Sequence, residues 1–478
     1  MGNCETTLQK KHFWQEPDPA PRIKDPEKVA KKYKMLQPLI FVLLYLLYFC
    51  SYLGRKQLSV GFFGTPGSGM HNGIEDLYHL DISIYASLGM IYYFTYLVGK
   101  MLGGVIADRA NIKYMLPLSV GLSALCPVGI VLSCHMFAAN QGAMIALMYI
   151  SWGLSGFIQA ASFPMCGKAL TFWYSNKNRA TIWSFWSTSH ELGSAFSVTL
   201  AASMSLINWE LVFIVPAIIT MSVAIVGMIL LRDKPVTIGL PDVEEYTSGV
   251  KTVEKEDKEE EKDDRTYFQV FKQEILCSKT IWLLGLAFIC VYIMRTGPVD
   301  WMIKMFEKDS NGALKTAIIP FCGALGTLSI PVVSKKLFKG RRAPAIFIYF
   351  LVGTICFLGL KLTSALDGHK AAIVLPDNIL FPVQLVMLAL LGIATYGPLV
   401  MIGGVASIES ASKRVAAATT GFTGGIGYIG AILMSYLGKF SKVYGYGFLY
   451  NIWIISGVVA MILMLFLWNQ KANKEYSH

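Results

Sequence analysis

The chain has 478 residues, of which 54% are hydrophobic and only 15% are charged. A composition this apolar excludes one or several soluble domains of the same total length. The net charge of +11 does not indicate a nucleic-acid-binding protein, because the basic residues lie in short segments between apolar stretches and form no folded basic surface. The sequence therefore predicts an all-α membrane protein.

The N-terminal segment is polar and charged, so no secretory signal peptide is predicted and the first apolar run stays as a span. The opening Met1-Gly2-Asn3-Cys4-Glu5-Thr6 matches the pattern for N-myristoylation of Gly2, with Cys4 available for a second acyl chain. A chain with many spans needs no lipid anchor, so the match leaves lipidation open.

Twelve apolar stretches are long enough to cross a bilayer, because about twenty helical residues span its hydrocarbon core. They are predicted at residues 37–62, 83–107, 114–134, 143–168, 178–203, 211–231, 280–305, 313–333, 344–364, 379–405, 415–438 and 448–468. The charge run EKEDKEEEKDDR after the sixth stretch predicts a solvated linker. The expected organisation is a cytosolic N-terminal segment (1–36), a six-helix half (37–231), a charged cytosolic linker (232–279), a second six-helix half (280–468) and a cytosolic tail (469–478).

Lysine and arginine crowd every second interhelical segment, including SKKLFKGRR from Ser334, together with the linker and both termini. The intervening segments GTPGSGMHNGIEDLYHLD and CHMFAANQG contain neither residue. Because basic residues stay on the cytoplasmic side, we expect an integral protein of the cell or inner membrane with both termini in the cytoplasm.

A short motif occurs at equivalent places in the two predicted halves. Tyr52-Leu53-Gly54-Arg55 lies in the first predicted helix, and Tyr292-Ile293-Met294-Arg295 lies in the seventh. Each arginine is a similar distance into the first helix of its half. A two-fold axis along the membrane normal would bring the two arginines face to face.

Two guanidinium groups at membrane depth are poorly solvated and repel each other, and an ionised side chain there costs at least about 2.5 to 3.5 kcal/mol. A bound dianion would relieve both costs, and the planar fork of arginine suits the bidentate binding of phosphate or a phosphate ester. The alternative is that each arginine neutralises a carboxylate within the bundle, with Asp300 as a candidate partner of Arg295.

Other polar residues of the predicted helices admit two interpretations each. His190 is a hydrogen-bonded packing residue or faces a cavity, where its protonated form could bind phosphate while Glu191, about 100° further around the helix, points elsewhere. Lys100 belongs to the site or extends to the membrane surface. Five tyrosines offer hydroxyl groups to a cavity or serve packing and anchoring: Tyr48, Tyr52, Tyr292, Tyr396 and Tyr428.

Two patterns that suggest cofactors in soluble proteins do not do so here. Seven of the nine cysteines lie in or beside apolar helices and no C-x-x-C occurs, so they are predicted to be core residues. The G-x-G-x-x-G of Gly425, Gly427 and Gly430 follows no strand, so it predicts close helix packing and not a nucleotide site. No cofactor, no metal and no enzymatic nucleophile-base pair is expected.

The segment GGVIADRANIK between spans two and three resembles the signature loop of the major facilitator superfamily, and its expected role is a latch between helices. Over nearly its whole length the chain resembles the organophosphate:phosphate antiporters within that superfamily. The motifs that carry this resemblance are YLGRKQ, YLVGKMLGG, FPMCGKAL, STSHELG, RDKPVTIGLPDVEEY, YIMRTGPVDW, and YGPLVMIGG with TTGFTGGIGYIGA.

The resemblance implies that Arg55 and Arg295 clamp the phosphate, with His190 and Lys100 as cavity groups whose charge pairs rearrange during transport. It also implies a set of further residues near the site: Lys56, Tyr52, Tyr292, Asp300, Tyr396 and Tyr428. The chain departs from glycerol-phosphate transporters at an acid of helix eight, here apparently Pro320, and at an asparagine of helix five, here Ser187. The resemblance and the departure in helix eight favour a hexose phosphate.

The expected function is a secondary transporter that exchanges a sugar phosphate, above all glucose 6-phosphate, for inorganic phosphate by alternating access, without ATP. Its expected partners are phosphate esters, inorganic phosphate and the bilayer, with no nucleic acid, and the protein is expected to be a monomer. Three alternatives stay open: a glycerol-3-phosphate:phosphate antiporter, a non-transporting sugar-phosphate sensor of the same fold, and a proton-coupled symporter that uses His190 or Asp300.

Overall fold

A computed structural model describes residues 14–15, 17–65, 73–248, 267–365, 371–407, 409–410 and 415–470. The candidate lipidation site at Gly2 and Cys4 and the charge run EKEDKEEEKDDR lie outside these residues. Within them the structure is helical, apart from turns, loops and one isolated bridge between Gln15 and Ala110.

Twelve helices of the described residues are long enough to cross a membrane, and each overlaps one predicted span. They are α1 (Pro26–Phe63), α2 (Ile82–Arg109), α3 (Ile112–Met136), α4 (Gln141–Trp173), α5 (Asn176–Ser205), α6 (Leu211–Leu230), α7 (Lys279–Met305), α8 (Gly312–Phe338), α9 (Arg342–Thr363), α10 (Asp377–Val400), α11 (Ala416–Gly438) and α12 (Tyr446–Phe466). Several contain short breaks: α1, for example, consists of Pro26–Lys56 and Leu58–Phe63.

Ten of the twelve helices are also apolar enough to qualify as membrane spans by composition, whereas α5 and α11 are not among the ten. Serine and threonine are frequent in α5, and glycine and threonine are frequent in α11. Both also pack across the middle of the molecule, α5 against α8 and α11 against α2. Their lower hydropathy therefore follows from their position between the two sets of helices, where less of their surface meets lipid.

The helix contacts repeat between α1–α6, the first half, and α7–α12, the second half. In the first half α1 packs on α5 and α6, α2 on α4, and α3 on α6; in the second half α7 packs on α11 and α12, α8 on α10, and α9 on α12. The contacts between halves, α5 with α8 and α11 with α2, also exchange under this correspondence. The repetition agrees with the expected pseudo-two-fold axis.

Local sequence sets the ends of the helices that carry the arginine motifs. Asp25 caps α1 by accepting a 3.0 Å hydrogen bond from the backbone nitrogen of Glu27, and Pro26 takes the first helical position. Ser278 caps α7 through the backbone nitrogen of Ile281. Both helices thus start on one face of the bundle, the terminal face, and end on the other, the distal face.

The start of the predicted linker is folded against the first half. It forms a 3-10 turn, Pro235–Ile238, and a short helix, Val243–Ser248. The hydroxyl group of Tyr33 in α1 donates a 2.6 Å hydrogen bond to the carbonyl oxygen of Pro241. The backbone nitrogen of Ile23 donates to the carbonyl oxygen of Gly239 at 2.8 Å. This part of the chain is therefore attached to the first half, whereas the domain boundaries themselves stay predictions.

Glycines allow close helix packing, as expected for the G-x-G-x-x-G segment. A Cβ atom on Gly427 would overlap the rings of Phe288 and Tyr292, and one on Gly430 would overlap the backbone of Ile289. Helices α7 and α11 can approach this closely only without side chains at these two positions. The cysteines of the described residues are free thiols, and no cluster suited to a metal occurs among those residues.

Candidate functional site

The two motif arginines lie at comparable depths in the bundle. At 1.5 Å per residue, Arg55 is about 12 Å from the distal end of α1 and Arg295 is about 15 Å from the distal end of α7. Both side chains are buried, with 4% and 3% of their surfaces exposed, and neither faces lipid. The two arginines thus lie at similar distances from the distal ends of equivalent helices.

Arg55 lies in a box of tyrosine rings. Its guanidinium carbon is between 4.7 and 5.6 Å from the ring centres of four tyrosines, and its Nη1 donates a 3.2 Å hydrogen bond to the hydroxyl group of Tyr52, three residues earlier on the same helix face. These rings are Tyr52, Tyr92, Tyr93 and Tyr96. Each ring face attracts the cation, so the box stabilises the charge without a carboxylate.

Arg295 has fewer partners. Its guanidinium carbon lies 4.6 Å from the ring centre of Tyr396, while its Nε and Nη2 are buried without a hydrogen-bond partner. The Nε of Arg55 is likewise unpartnered. The two guanidinium groups carry the same charge, so they repel each other across the boundary between halves. Among the described residues neither arginine forms an ion pair, so the alternative of a carboxylate partner for each is wrong there.

Aromatic side chains connect the two arginines. The His190 ring lies 5.4 Å from the ring of Tyr52, which touches Arg55, and 6.3 Å from the ring of Tyr396, which touches Arg295. His190 is 8% exposed, and its Nδ1 is hydrogen-bonded to the carbonyl oxygen of Ser187. The structure thus places His190 between the two arginines, with its Nε2 directed away from its own helix backbone.

A second aromatic group includes the remaining predicted tyrosines. Tyr428 of α11 packs against Tyr292 of α7 at 4.7 Å and stacks on Tyr96 of α2 at 4.8 Å. The Nζ of Lys100 lies 5.4 Å from the ring centre of Tyr428 and 5.2 Å from that of Phe163. Lys100 therefore extends inside the bundle, and its alternative placement at the membrane surface is wrong. Tyr48 instead stacks on Trp186 within the first half, at 4.6 Å.

Asp300 is the partner of Lys56 and not of Arg295. The Nζ of Lys56 is 2.7 Å from Oδ1 of Asp300, and the hydroxyl group of Tyr93 donates to Oδ2 at 2.7 Å. Tyr85 donates to the backbone carbonyl oxygen of Asp300 at 2.6 Å. The suggested pairing of Asp300 with Arg295 is thus corrected, because the acid is held by three residues of the opposite half.

Two more ion pairs join the halves further towards the distal face. Glu75, in the short helix Ile74–Leu77 between α1 and α2, pairs with Lys304 of α7 at 2.8 Å. Asp81 at the start of α2 pairs with Lys442, which follows α11. The hydrogen bonds from Lys442 and from the backbone of Ser83 lower the pKa of Asp81 to about 2. Burial raises the pKa of Glu75 against the opposing effect of Lys304.

All ion pairs between the two halves, within the part of the chain that the structure describes, lie on the distal side of the arginines. A cavity of about 30 Å³ remains beside Arg55 and Lys56, lined on the other side by Asp300 and Ser435. A space of this size holds one or two water molecules. The conformation is therefore closed on the distal side.

Glu191 was missed as a site residue, and the expectation that it points away from His190 is wrong. Its Oε1 lies 3.5 Å from Nε2 of His190 and accepts a 2.5 Å hydrogen bond from the hydroxyl group of Thr327 in α8. The side chain is fully buried. Adjacent helical residues can still converge when both side chains are long and the helix lies between neighbours on several sides. The sequence did contain one indication of this role, because Glu191 directly follows the candidate histidine.

The comparisons with known proteins bear on what this arrangement is for. Residues 44–435 match the family model of the Major Facilitator Superfamily. The chain belongs to the Major Facilitator Superfamily. Members of this superfamily are membrane transporters, so the chain is an integral membrane protein and not an enzyme. A solved structure of a bacterial homologue of the human lysosomal transporter Spinster, inward-facing and unoccupied, has the same fold: TM-score 0.62 at 16% identity, covering 91% of this chain and 95% of that one.

Relatives within the superfamily include proteins named as phosphate-ester transporters and a membrane sensor. A probable hexose phosphate transport protein of Chlamydia trachomatis is 27% identical over 98% of this chain and 99% of its own. The membrane sensor protein UhpC of Salmonella typhimurium is 29% identical over 97% and 98%. The glycerol-3-phosphate transporter of Bacillus subtilis is 28% identical over 96% and 98%. These matches confirm the resemblance to the organophosphate:phosphate antiporters.

Proposed function

We propose that this superfamily member exchanges a sugar phosphate, glucose 6-phosphate in particular, for inorganic phosphate by alternating access. One observation carries the proposal: two buried arginines from opposite halves, which together have three unpartnered guanidinium nitrogens and form no ion pair with an acid among the described residues. Unpaired buried donors are costly, and the oxygens of a phosphate dianion would satisfy them.

The same charges account for exchange instead of leakage. Without cargo, repulsion between Arg55 and Arg295 opposes the closed intermediate, in which the two guanidinium groups are closest. A dianion between them replaces repulsion by two attractions, so the halves pass through the closed state readily only when loaded. In this mechanism the Lys56–Asp300 pair closes the distal side of the loaded site. The two halves then move against each other, with both termini on the cytoplasmic side.

The test is transport by the purified protein in phosphate-loaded liposomes. We expect uptake of glucose 6-phosphate that requires internal phosphate, with glycerol 3-phosphate as the competing ester. Arg55→Lys and Arg295→Lys keep the charge but lose the two-pronged geometry, so each should lower exchange by two orders of magnitude or more. Arg342→Lys is the matched control, because Arg342 binds Glu409 in the second half, away from the clamp. Wild-type exchange in either clamp variant would contradict the proposal.

A sensor without transport is the second candidate, supported by the similarity to a protein named as a membrane sensor. It predicts that phosphate esters stabilise the purified protein against heat while the liposomes show no flux. A proton-coupled symporter predicts uptake that follows a pH gradient and needs no internal phosphate. The same liposomes therefore distinguish all three mechanisms, and chemical cross-linking of the purified protein tests the expected monomer.

A further inference from the structure

The side chain of Glu191 is placed at the clamp but has no role in gripping phosphate. It is fully buried near the middle of α5, and its Oε1 accepts the hydrogen bond from Thr327 of the opposite half. Its neighbour His190 lies between the rings that contact the two arginines. The Oε1 of Glu191 also lies 3.5 Å from Nε2 of that histidine. Glu191 is therefore part of the same central site.

The other carboxylate oxygen of Glu191 is buried without a hydrogen-bond partner among the described residues. Such an atom carries the desolvation penalty of a charged group, so a fully buried acceptor without a donor is rare in folded proteins. Thr327 fixes the first oxygen, and this contact also fixes the direction of the second. The free oxygen is thus a pre-oriented acceptor that awaits a donor.

A carboxylate beside an anion clamp repels phosphate, so it weakens the binding of inorganic phosphate. A sugar phosphate, however, also brings several hydroxyl groups, and each can donate a hydrogen bond to a carboxylate. We propose that Glu191 selects the organic cargo by accepting a hydrogen bond from a hydroxyl group of the sugar. The inference rests on the proposed function, since it assigns the specificity of that same site.

The proposal predicts opposite effects of one substitution on the two cargoes. Glu191→Gln keeps the size of the side chain and the bond to Thr327, but it removes the charge and turns the free acceptor into a donor. The KM for glucose 6-phosphate should rise about tenfold or more, the effect of losing one hydrogen bond to a charged acceptor. The KM for inorganic phosphate, measured as phosphate:phosphate exchange, should stay unchanged or fall. Glu210→Gln, at an acid paired with His135 outside the site, should leave both values unchanged.

Deoxy analogues of glucose 6-phosphate identify the hydroxyl group concerned. In the wild type, the KM for one analogue should be about tenfold higher than the KM for the parent ester. In Glu191→Gln the two KM values should be equal, because the substitution has already removed the acceptor of that hydroxyl group. Parallel increases in both KM values, or an unchanged ratio between them, would overturn the proposal and make Glu191 a packing residue.

A second measurement separates this inference from the proposed function. Binding of glucose 6-phosphate and inorganic phosphate to the purified protein is followed by thermal stabilisation, which needs no transport. If the wild type binds both and transports neither, the antiporter proposal fails while the affinity ratio in Glu191→Gln still decides the role of Glu191. If the wild type binds neither, both proposals fail.

Discussion

The ion pair of Lys56 and Asp300 allows a direct test of how the distal side is held closed. Lys56 is 4% and Asp300 is 18% exposed as side chains, and the acid also accepts from Tyr93. Asp300→Asn keeps the shape of the side chain but leaves the charge of Lys56 buried and unpaired. The substitution should destabilise the distally closed conformation, because the two residues are paired in this conformation.

Removing one partner of a buried ion pair costs about 3 to 5 kcal/mol. If that cost falls wholly on the closed state, the balance between closed and open distal sides shifts by roughly two to four orders of magnitude. Replacing both partners, as in Lys56→Met with Asp300→Met, leaves no buried charge and should restore closure. The single variant should therefore open the distal side and the double variant should not, although the double variant removes more polar contacts.

A cysteine at Ser59 reports the opening, because Ser59 lines the cavity beside Lys56 and is only 3% exposed. The background carries serine at Cys4 and at the exposed Cys277. In detergent, a maleimide should label Ser59→Cys slowly in the otherwise native chain, at least a hundredfold faster with Asp300→Asn, and slowly again in the double variant. Equal labelling rates in the native and Asp300→Asn chains would refute the reasoning.

Three further predictions concern stability, each measured as heat denaturation of the purified protein. Gly430→Ala should destabilise the protein by about 1 to 3 kcal/mol, because the new Cβ would overlap the backbone of Ile289. Gly421→Ala, where a Cβ meets open space, should stabilise the protein by about 0.5 to 1 kcal/mol. Equal effects of the two substitutions would contradict the packing of α11 on α7. Tyr33→Phe should cost about 1 kcal/mol by removing the hydroxyl group that binds the carbonyl oxygen of Pro241, and an unchanged midpoint would count against this anchor. Lys442 lowers the pKa of Asp81 to about 2, so the small stabilisation from this pair is complete above pH 4 and is lost between pH 4 and 2. The difference in denaturation midpoint between wild type and Asp81→Asn should therefore vanish over that range. A difference that stays constant with pH would exclude the ion pair as its source.

The sequence was a good guide to the helices because hydropathy and bilayer thickness act over long stretches of chain. Hydropathy located α5 and α11 as well, although they are not among the ten helices that qualify as membrane spans by composition. The start of the linker was harder to predict. Its fold depends on Tyr33 and Ile23, which lie more than 200 residues away, and no local pattern records such contacts.

For the site, repetition within the sequence was more informative than residue type. The two Y-x-x-R motifs identify Arg55 and Arg295 because equivalent helices repeat in space. Partner choice was not predictable in the same way, since Asp300 is five residues from Arg295 yet binds Lys56 across the boundary between halves. The direction of Glu191 likewise depends on Thr327 of another helix, so spacing along α5 alone gave the wrong answer.

The box of tyrosine rings around Arg55 reduces the conformational entropy that this side chain loses when an anion binds. A side chain enclosed by Tyr52, Tyr92, Tyr93 and Tyr96 has few rotamers left to lose when it binds an anion. Arg295, which is equally buried, contacts a single ring and has two unpartnered nitrogens. The first half therefore holds its arginine in a fixed orientation before an anion binds. Removal of one ring, by Tyr96→Leu for instance, would give the Arg55 side chain more rotamers to lose on binding.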